Sequence, residues 1–343
     1  MQAIDPSRLK LSIIVPCHNE ADNIQELWRR ARDAAQSCVG DRFELVLIND
    51  GSTDDTWSKL ADLGKAEAQV VSINLSRNYG HQLALTAGLS YCSGERVLVL
   101  DADLQDPPEL LPEMMELMDG GVDVVYGQRK EREGETWFKK ASASWFYWLL
   151  RKSVDIEIPA NAGDFRLVSR RVVEAFLSMP EQHRFVRGMV SWIGFRQIAL
   201  RYDRAPRLHG ETSYTLGRML RFAADAITGF STKPLRVASY LGLMFGAVGL
   251  VLLIYILISL IASRPVAGWT SLIAVVVVLG SATLVVLGVI GEYIGRIYVE
   301  VKGRPLYLVS EVEGGKDWEP GSTNCPHCGE PLETTYVQRR KTS

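Results

Sequence analysis

The sequence predicts an α/β protein: a mostly parallel sheet with helices on both faces, followed by a C-terminal hairpin of two membrane-spanning helices. Three observations carry that prediction. Four apolar runs, LSIIV, FELVLI, QVVSINL and RVLVLD, alternate with helical patterns through the first 120 residues, the signature of βαβ units. Residues 237–263 and 265–291 are two stretches of 27 uncharged residues each; as helices they would reach roughly 40 Å against a hydrocarbon core of about 30 Å. A mean hydropathy of +0.03 in a chain that is 23% charged means that the apolar residues are concentrated, and these stretches are where they lie. The 343 residues carry 38 Lys and Arg against 40 Asp and Glu, with 47% hydrophobic content. That balance excludes a disordered chain and a globally basic nucleic-acid-binding protein.

Taken in order, the N-terminus carries no secretory signal, because Asp5, Arg8 and Lys10 precede an apolar run too short for one. The segment ahead of the spans is therefore expected in the cytosol, and five scattered cysteines (Cys17, Cys38, Cys92, Cys325 and Cys328) suit a reducing compartment. In open parallel sheets the ligand lies beyond the carboxyl ends of the strands, so the residues closing each run are the candidates. The first run closes in PCHNEADN, with Pro16 at its end and Glu20 near a helix start, where a carboxylate is also favourable charge at a helix N-terminus. The second closes in INDGSTDDT: Asp50 and Gly51 make a tight turn, and Asp54 or Asp55 caps the next helix. Asp50 is placed either to bind a nucleobase or ribose or simply to form that turn. The fourth closes in VLVLDADLQDPPE. Alternate residues of an extended strand point to one side, so Asp101 and Asp103 present two carboxylates to one space, with Gln105 beside them. Two carboxylates repel, and a hard divalent cation is the economical way to hold them and a diphosphate together. Asp106, before Pro107 and Pro108, starts the following helix.

The middle of the chain mixes Arg129, Lys130, Arg132, Lys139 and Lys140 with Trp137, Phe138, Trp145, Phe146, Tyr147 and Trp148. Basic residues attract anionic head groups while aromatic rings settle at a membrane interface; a nucleic-acid platform uses the same ingredients, and the adjoining hairpin favours the lipid. Arg129 follows the strand-like VDVVYG and is the favoured phosphate ligand. AGDFRLVSRR places Asp164 and Arg166 at the mouth of another extended segment, where Asp164 either pairs with Arg166 or orients a substrate. A phosphate acceptor is largely ionised at neutral pH, its second pKa being about 6, so no strong base is required. Arg184, Arg187, Arg204 and Arg207 can bracket phosphates through charge-assisted hydrogen bonds. Arg187, Arg204 and Arg207 come first, with Ser213 and Tyr214 on a loop beside them. Leu216, Met219, Leu220, Ala223, Ile227 and Phe230 recur at helical intervals, as in an amphipathic helix lying on the membrane or packing on the preceding domain.

Lys233 and Arg236 precede the first span, Arg296, Lys302 and Arg304 follow the second, and the turn between carries one Arg, which places both flanks in the cytosol. Gly242, Gly246 and Gly249 permit close helix contact within the hairpin or between subunits. In the tail, Cys325 and Cys328 resemble half of a zinc ribbon; a tetrahedral site needs four ligands, so reduced thiols are the default and zinc would require two subunits. His18, His81, His183 and His209 form no ligand spacing, and neither His81 nor His209 is a catalytic choice.

VPCHNEADN, INDGSTDDT, LSRNYGHQLALTAG and LDADLQDPPE resemble the family-2 glycosyltransferases, and among them the polyprenyl-phosphate glycosyltransferases that include dolichol-phosphate mannose synthases. The likeness continues through AGDFRLVSRRV, RFVRG, GETSY and the two spans, over residues 10–308. It implies a GT-A type, Rossmann-like fold and transfer of a sugar from a nucleoside diphosphate to a lipid phosphate with inversion. It also implies Asp50 on the nucleoside, Asp101 and Asp103 on Mg²⁺ or Mn²⁺, and Asp164 at the catalytic centre. The layout resembles bacterial bactoprenol glucosyltransferases, which makes UDP-glucose and undecaprenyl phosphate the first expectation; UDP-aminoarabinose derivatives, UDP-N-acetylhexosamines and GDP-mannose are the other donors. The expected site is catalytic at Asp164, Asp103 and Arg129, nucleotide-binding at Pro16, Glu20, Asp50, Asp101 and Arg207, acceptor-binding at Arg129, Arg132, Arg187, Arg204 and Ser213, and metal-binding at Asp101, Asp103 and Gln105. The expected organisation is a catalytic domain over 1–210, a juxtamembrane helix over 211–236, the spans, and a cytosolic tail over 292–343. This describes an integral protein of the bacterial inner membrane, homo-oligomeric, with no nucleic-acid partner. A processive polysaccharide synthase would carry a QxxRW-type segment, absent here; a non-catalytic nucleotide-sugar-binding scaffold is the alternative from another class.

Overall fold

The computed structural model describes residues 9–129, 162–203, 228, 231–261 and 268–314, which fall into two compact units. The first is built on an eight-stranded mixed sheet. The four expected runs are β1 (Leu11–Cys17), β2 (Phe43–Asn49), β3 (Val70–Leu75) and β4 (Arg96–Val99), joined by α1 (Ile24–Val39), α2 (Thr56–Ala66) and α3 (His81–Tyr91). Then come α4 (Leu111–Asp119), β5 (Val124–Arg129), β6 (Ala162–Ser169), α5 (Arg170–Leu177), α6 (Val186–Ile193) and β7 (Gln197–Tyr202). A strand from the far end of the chain, β8 (Val309–Gly314), completes the sheet in the order β7-β5-β6-β4-β1-β2-β3-β8. The first four strands are parallel as expected; β6 runs antiparallel to β4 and β5, and β8 antiparallel to β3.

β1 and β2 are buried at every position, as strands covered on both faces must be. α1 supplies one cover with Ile24, Leu27, Trp28, Ala31 and Ala35 at helical spacing. α3 supplies another and lies very close: a Cβ on Gly88 would collide with Ile14 Cγ2 and stand 2.7 Å from Ile48 Cδ1. Gly88→Val is therefore expected to cost about 1–3 kcal/mol through overpacking, read as a lower unfolding midpoint of the full-length protein. An unchanged midpoint would mean that α3 can retreat from the sheet.

β1 itself opens the crevice. Its Ile14 carbonyl accepts the Leu100 N–H at 3.0 Å, the last rung shared with β4. Strand alternation turns the nitrogen of Pro16 toward the same side, and proline has no N–H to donate. The ladder with β4 stops there, whereas β1 stays paired with β2 to Cys17↔Asn49. With β2 and β3 on one side and β4 and β6 on the other, this is the switch point of an open sheet, where such folds place their ligands.

The second unit holds two helices packed on one another, α7 (Lys233–Ile261) and α8 (Trp269–Lys302). Each contains a segment long and apolar enough to cross a membrane, with mean hydropathy 1.8 over Lys233–Leu252 and 2.3 over Val275–Lys302. Their side chains are not a soluble core: Leu243 is 74% exposed and Leu284 71%. Such a surface exceeds what a water-soluble monomer shows. The boundaries differ from the expected 237–263 and 265–291, because absence of charge defines a span but not a helix. α8 starts four residues late and continues past Glu292, whose carboxylate takes Arg296 at 3.2 Å one turn on, to a left-handed Gly303 (φ 55°). The expected juxtamembrane helix lies outside the described residues apart from its end, where α7 has already begun at Lys233. Within the segment expected as the tail, Tyr307 is buried and Val309–Gly314 forms β8, a strand the sequence analysis did not include.

Candidate active site

The site is assembled from the carboxyl ends of β1, β2 and β4 and from β6, which passes them in the opposite direction. Asp50, directly after β2, is 3% exposed and accepts the Tyr79 N–H at 2.7 Å and the Gly80 N–H at 2.9 Å with its two oxygens. It thereby fixes the loop that starts α3. Gly51 must be glycine: its φ is +60°, and any Cβ would strike the Arg77–Asn78 backbone. Glu20 accepts from Asn23 Nδ2 at 2.6 Å at the entrance to α1, its helix-terminus role. Asp55 is the N-cap residue of α2 but makes no side-chain cap bond; the Thr56 N–H goes instead to Asp54 Oδ1 at 3.0 Å.

The acidic turn corrects one premise of the sequence reading. β4 ends at Val99, and Asp101, Asp103 and Gln105 lie on a turn rather than an extended strand. The cause is local: Leu104 adopts a left-handed φ of 56°, and Asp103 Oδ1 accepts the Gln105 N–H at 3.1 Å. Strand alternation therefore does not set where these side chains point. The ladder of β4 with β6 ends at Val99↔Arg166, and Asp101 and Asp164 lie just beyond that last rung, close enough for their charges to act on one another.

His81, the first residue of α3, stands between them, with Nε2 3.2 Å from Asp164 Oδ2 and 3.6 Å from Asp101 Oδ1. From sequence His81 is no catalytic choice because it opens a helix, yet that same place, directly after a strand-end loop, is what brings it to the site. Gln82 joins it, donating to Asp164 at 3.3 Å while accepting the Val186 N–H at 2.9 Å. Asp164 takes a two-pronged contact from Arg187, Nε at 2.8 Å and Nη2 at 3.1 Å. Arg166, the partner expected from sequence, is 3.9 Å away and donates to the Gly163 and Asp164 carbonyls. Arg187 thus serves Asp164 in this structure. Arg129, expected at the acceptor, donates to the Tyr202 hydroxyl at 3.3 Å and lies 3.6 Å from the buried Asp106. Among the described residues no three His, Cys, Asp or Glu side chains form a metal cluster. Arg132, Arg204, Arg207, Ser213, Tyr214, Cys325 and Cys328 lie outside the described residues.

The charges follow from these contacts. Burial raises the Asp164 pKa, but the Arg187 charge and the His81 hydrogen bond outweigh it and hold the carboxyl well below its usual range. Burial lowers the His81 pKa, yet the Asp164 hydrogen bond and the Asp101 charge overturn that and bring it to about 9. Asp101 goes the other way, pushed up to about 6 by burial despite His81, with Asp164, Asp106 and Asp103 adding repulsion. Its Oδ1 is buried and has no hydrogen-bond partner among the described residues. At neutral pH the site thus holds a cationic imidazole and an ionised, neutralised Asp164, neither suited to removing a proton. Asp101 Oδ1, without a hydrogen bond among the described residues, faces that imidazolium at 3.6 Å and is a hard oxygen donor of the kind a divalent cation takes.

The glycosyl transferase family 2 pattern matches residues 12–177, the span that carries all four motif-bearing parallel strands. Over 307 residues the chain is 45% identical to a Bacillus subtilis (strain 168) protein named uncharacterized glycosyltransferase YkcC, covering 89% of this chain and 95% of that one. The chain belongs to glycosyl transferase family 2. As a family-2 glycosyltransferase it is an enzyme, and its mixed, mostly parallel sheet is the GT-A type of architecture expected. A second pattern, the GtrB C-terminal hairpin, matches residues 233–297, most of α7 and α8. The SfII prophage-derived bactoprenol glucosyl transferase of Shigella flexneri is 38% identical over 308 residues, 90% of this family-2 chain and 99% of that protein. Staphylococcus aureus TarS 1–349 in complex with UDP-GlcNAc is similar in structure at a TM-score of 0.44 and 19% identity, over 64% of this chain and 67% of that one.

Proposed function

We propose that this glycosyltransferase moves glucose from UDP-glucose to undecaprenyl phosphate with inversion at the anomeric carbon, its catalytic unit and both termini on the cytosolic side of a bacterial inner membrane. The observation that supports it most is near end-to-end similarity, hairpin included, to a protein named for bactoprenol glucosyl transfer. Asp101 and Asp103, with the Gln105 side chain, would hold Mg²⁺ or Mn²⁺; hard oxygen donors and a buried Asp101 Oδ1 lacking a hydrogen bond fit such an ion. When bound, the ion offsets the charge that develops on the departing diphosphate.

The chain's own residues divide the remaining work. Pro16 parts β1 from β4 and leaves room for the nucleotide, while Asp50 holds the α3 loop that borders it and, with Glu20 and Asp101, is assigned to the nucleotide, as is Arg207, which lies outside the described residues. His81, Gln82 and Arg187 fix Asp164, which orients sugar and acceptor rather than taking a proton. None is needed, because the lipid phosphate is already ionised. Arg129 is assigned to that phosphate, joined by Arg132, Arg204 and Ser213, which lie outside the described residues; Arg187, also expected there, is held by Asp164.

Membranes carrying the protein, incubated with a panel of radiolabelled nucleotide sugars, are expected to pass label from UDP-glucose into the organic-solvent extract, and to stop when a chelator is added. Label from a different donor would replace the sugar assignment. Label from none would remove the acceptor.

A further inference from the structure

Tyr202, the last residue of β7, has no place in the function described so far, yet its hydroxyl joins the two halves of the site. In the parallel ladder of β5 and β7, Tyr202 is the register partner of Arg129. The ring is 4% exposed and packs edge-on against Phe165, centroids 5.6 Å apart at 68°. Its seat exists because residue 127 is glycine: a Cβ there would lie 2.8 Å from Tyr202 Cε1. So held, the hydroxyl donates to Asp106 Oδ1 and accepts from Arg129 Nε at 3.3 Å. Asp106 is fully buried and ends the acidic turn that begins at Asp101.

A phenol can donate and accept at once, which neither a carboxylate nor a guanidinium can do. Interposed between Asp106 and Arg129, it gives each a neutral partner. Arg129 Nη2 stays 3.6 Å from Asp106 Oδ1, beyond hydrogen-bond range, and the Arg129 side chain remains 28% exposed. Without the hydroxyl the two charges would be drawn into a direct fork, the geometry arginine and carboxylate prefer, and the guanidinium would turn inward.

We propose that Tyr202 is a positioning residue for the acceptor: by bridging Asp106 and Arg129 it keeps the partly exposed Arg129 guanidinium from closing on Asp106 and so leaves it available to the phosphate of the lipid. The inference rests on the reading of Arg129 as an acceptor-phosphate ligand. Full-length protein in detergent is titrated with undecaprenyl phosphate and, separately, with undecaprenol, using Tyr202→Phe, Arg129→Gln and the double variant. Tyr202→Phe keeps the ring on Phe165 and is expected to weaken undecaprenyl phosphate binding about tenfold, the scale of one hydrogen bond to a charged group, while undecaprenol binding is unchanged. Arg129→Gln should show the same phosphate-specific loss, and the double variant no more than Arg129→Gln alone. If Tyr202→Phe binds the phosphate like wild type while Arg129→Gln does not, the positioning role is wrong and the Arg129 reading stands. Equal losses for both lipids on Tyr202→Phe would show a merely structural tyrosine and also overturn it. If Arg129→Gln loses nothing, the acceptor reading itself falls and takes the proposal with it.

Discussion

Asp101→Asn is expected to lower sugar transfer by about 10³-fold, on the scale of the several kcal/mol a bound cation contributes to charge stabilisation, while leaving the metal-free protein at least as stable as wild type. The two effects have one cause. Asp101 is pushed up from 3.8 to about 6 by burial among Asp164, Asp106 and Asp103, so the folded protein binds that proton more tightly than the unfolded chain does. The sign follows: the favourable contribution of this group is fully present below pH 3.8 and is lost as pH rises through 6. At pH 7 the ionised carboxylate opposes folding, and a neutral amide of the same shape removes that opposition. Stability against denaturant, with chelator present, should therefore hold or rise in Asp101→Asn, and Mn²⁺ binding followed by electron paramagnetic resonance should be lost. A destabilised variant would show that the orphan oxygen is satisfied by something else. Retained transfer would mean that the acidic turn holds no ion, and Asp103→Asn, made in parallel, tests the second carboxylate of that turn.

Asp164→Asn is expected to act in the opposite way on stability. This carboxylate is 4% exposed and compensates Arg187, His81 and, at longer range, Arg166. Arg187 and His81 keep 30% and 40% of their side chains exposed, so water partly compensates the charges left behind and the cost is about 1–3 kcal/mol. Asp164→Asn together with Arg187→Gln should recover part of that loss, since the two residues form one network. The same substitution removes the hydrogen bond that opposes burial at His81. The ring should titrate near 9 in the metal-free wild type and markedly lower in Asp164→Asn, read from its imidazole resonance and assigned by its absence in His81→Gln. An unmoved titration would place the source of the shift on Asp101 alone.

Much of this protein was legible in its residues. LSIIV, FELVLI, QVVSINL and RVLVLD each became a parallel strand, because a run of β-branched and aliphatic residues is a property of near neighbours. The acid-bearing strand ends are legible for the same reason, and so are the two apolar stretches, since length and charge suffice to describe a span. Helix limits were less so: α8 runs on through Glu292, Arg296 and Glu300, whose charges close a span without breaking a helix.

What the chain alone could not settle was which charge meets which. Asp164 chose Arg187, 23 residues away, over the adjacent candidate Arg166, and drew Gln82 across 82 residues. His81 acquired its place from Asp101 and Asp164, and β8 returned from beyond the hairpin to close the sheet beside β3. Pattern and composition determined an α/β fold with two apolar stretches long enough to span a membrane and carboxylates at its strand ends, and the motifs' resemblance to family-2 glycosyltransferases pointed to an enzyme. The tertiary structure decided which of those carboxylates meet cations, Asp164 taking Arg187 and His81, because electrostatic partners are fixed by distances across a folded sheet and not by separation along the backbone.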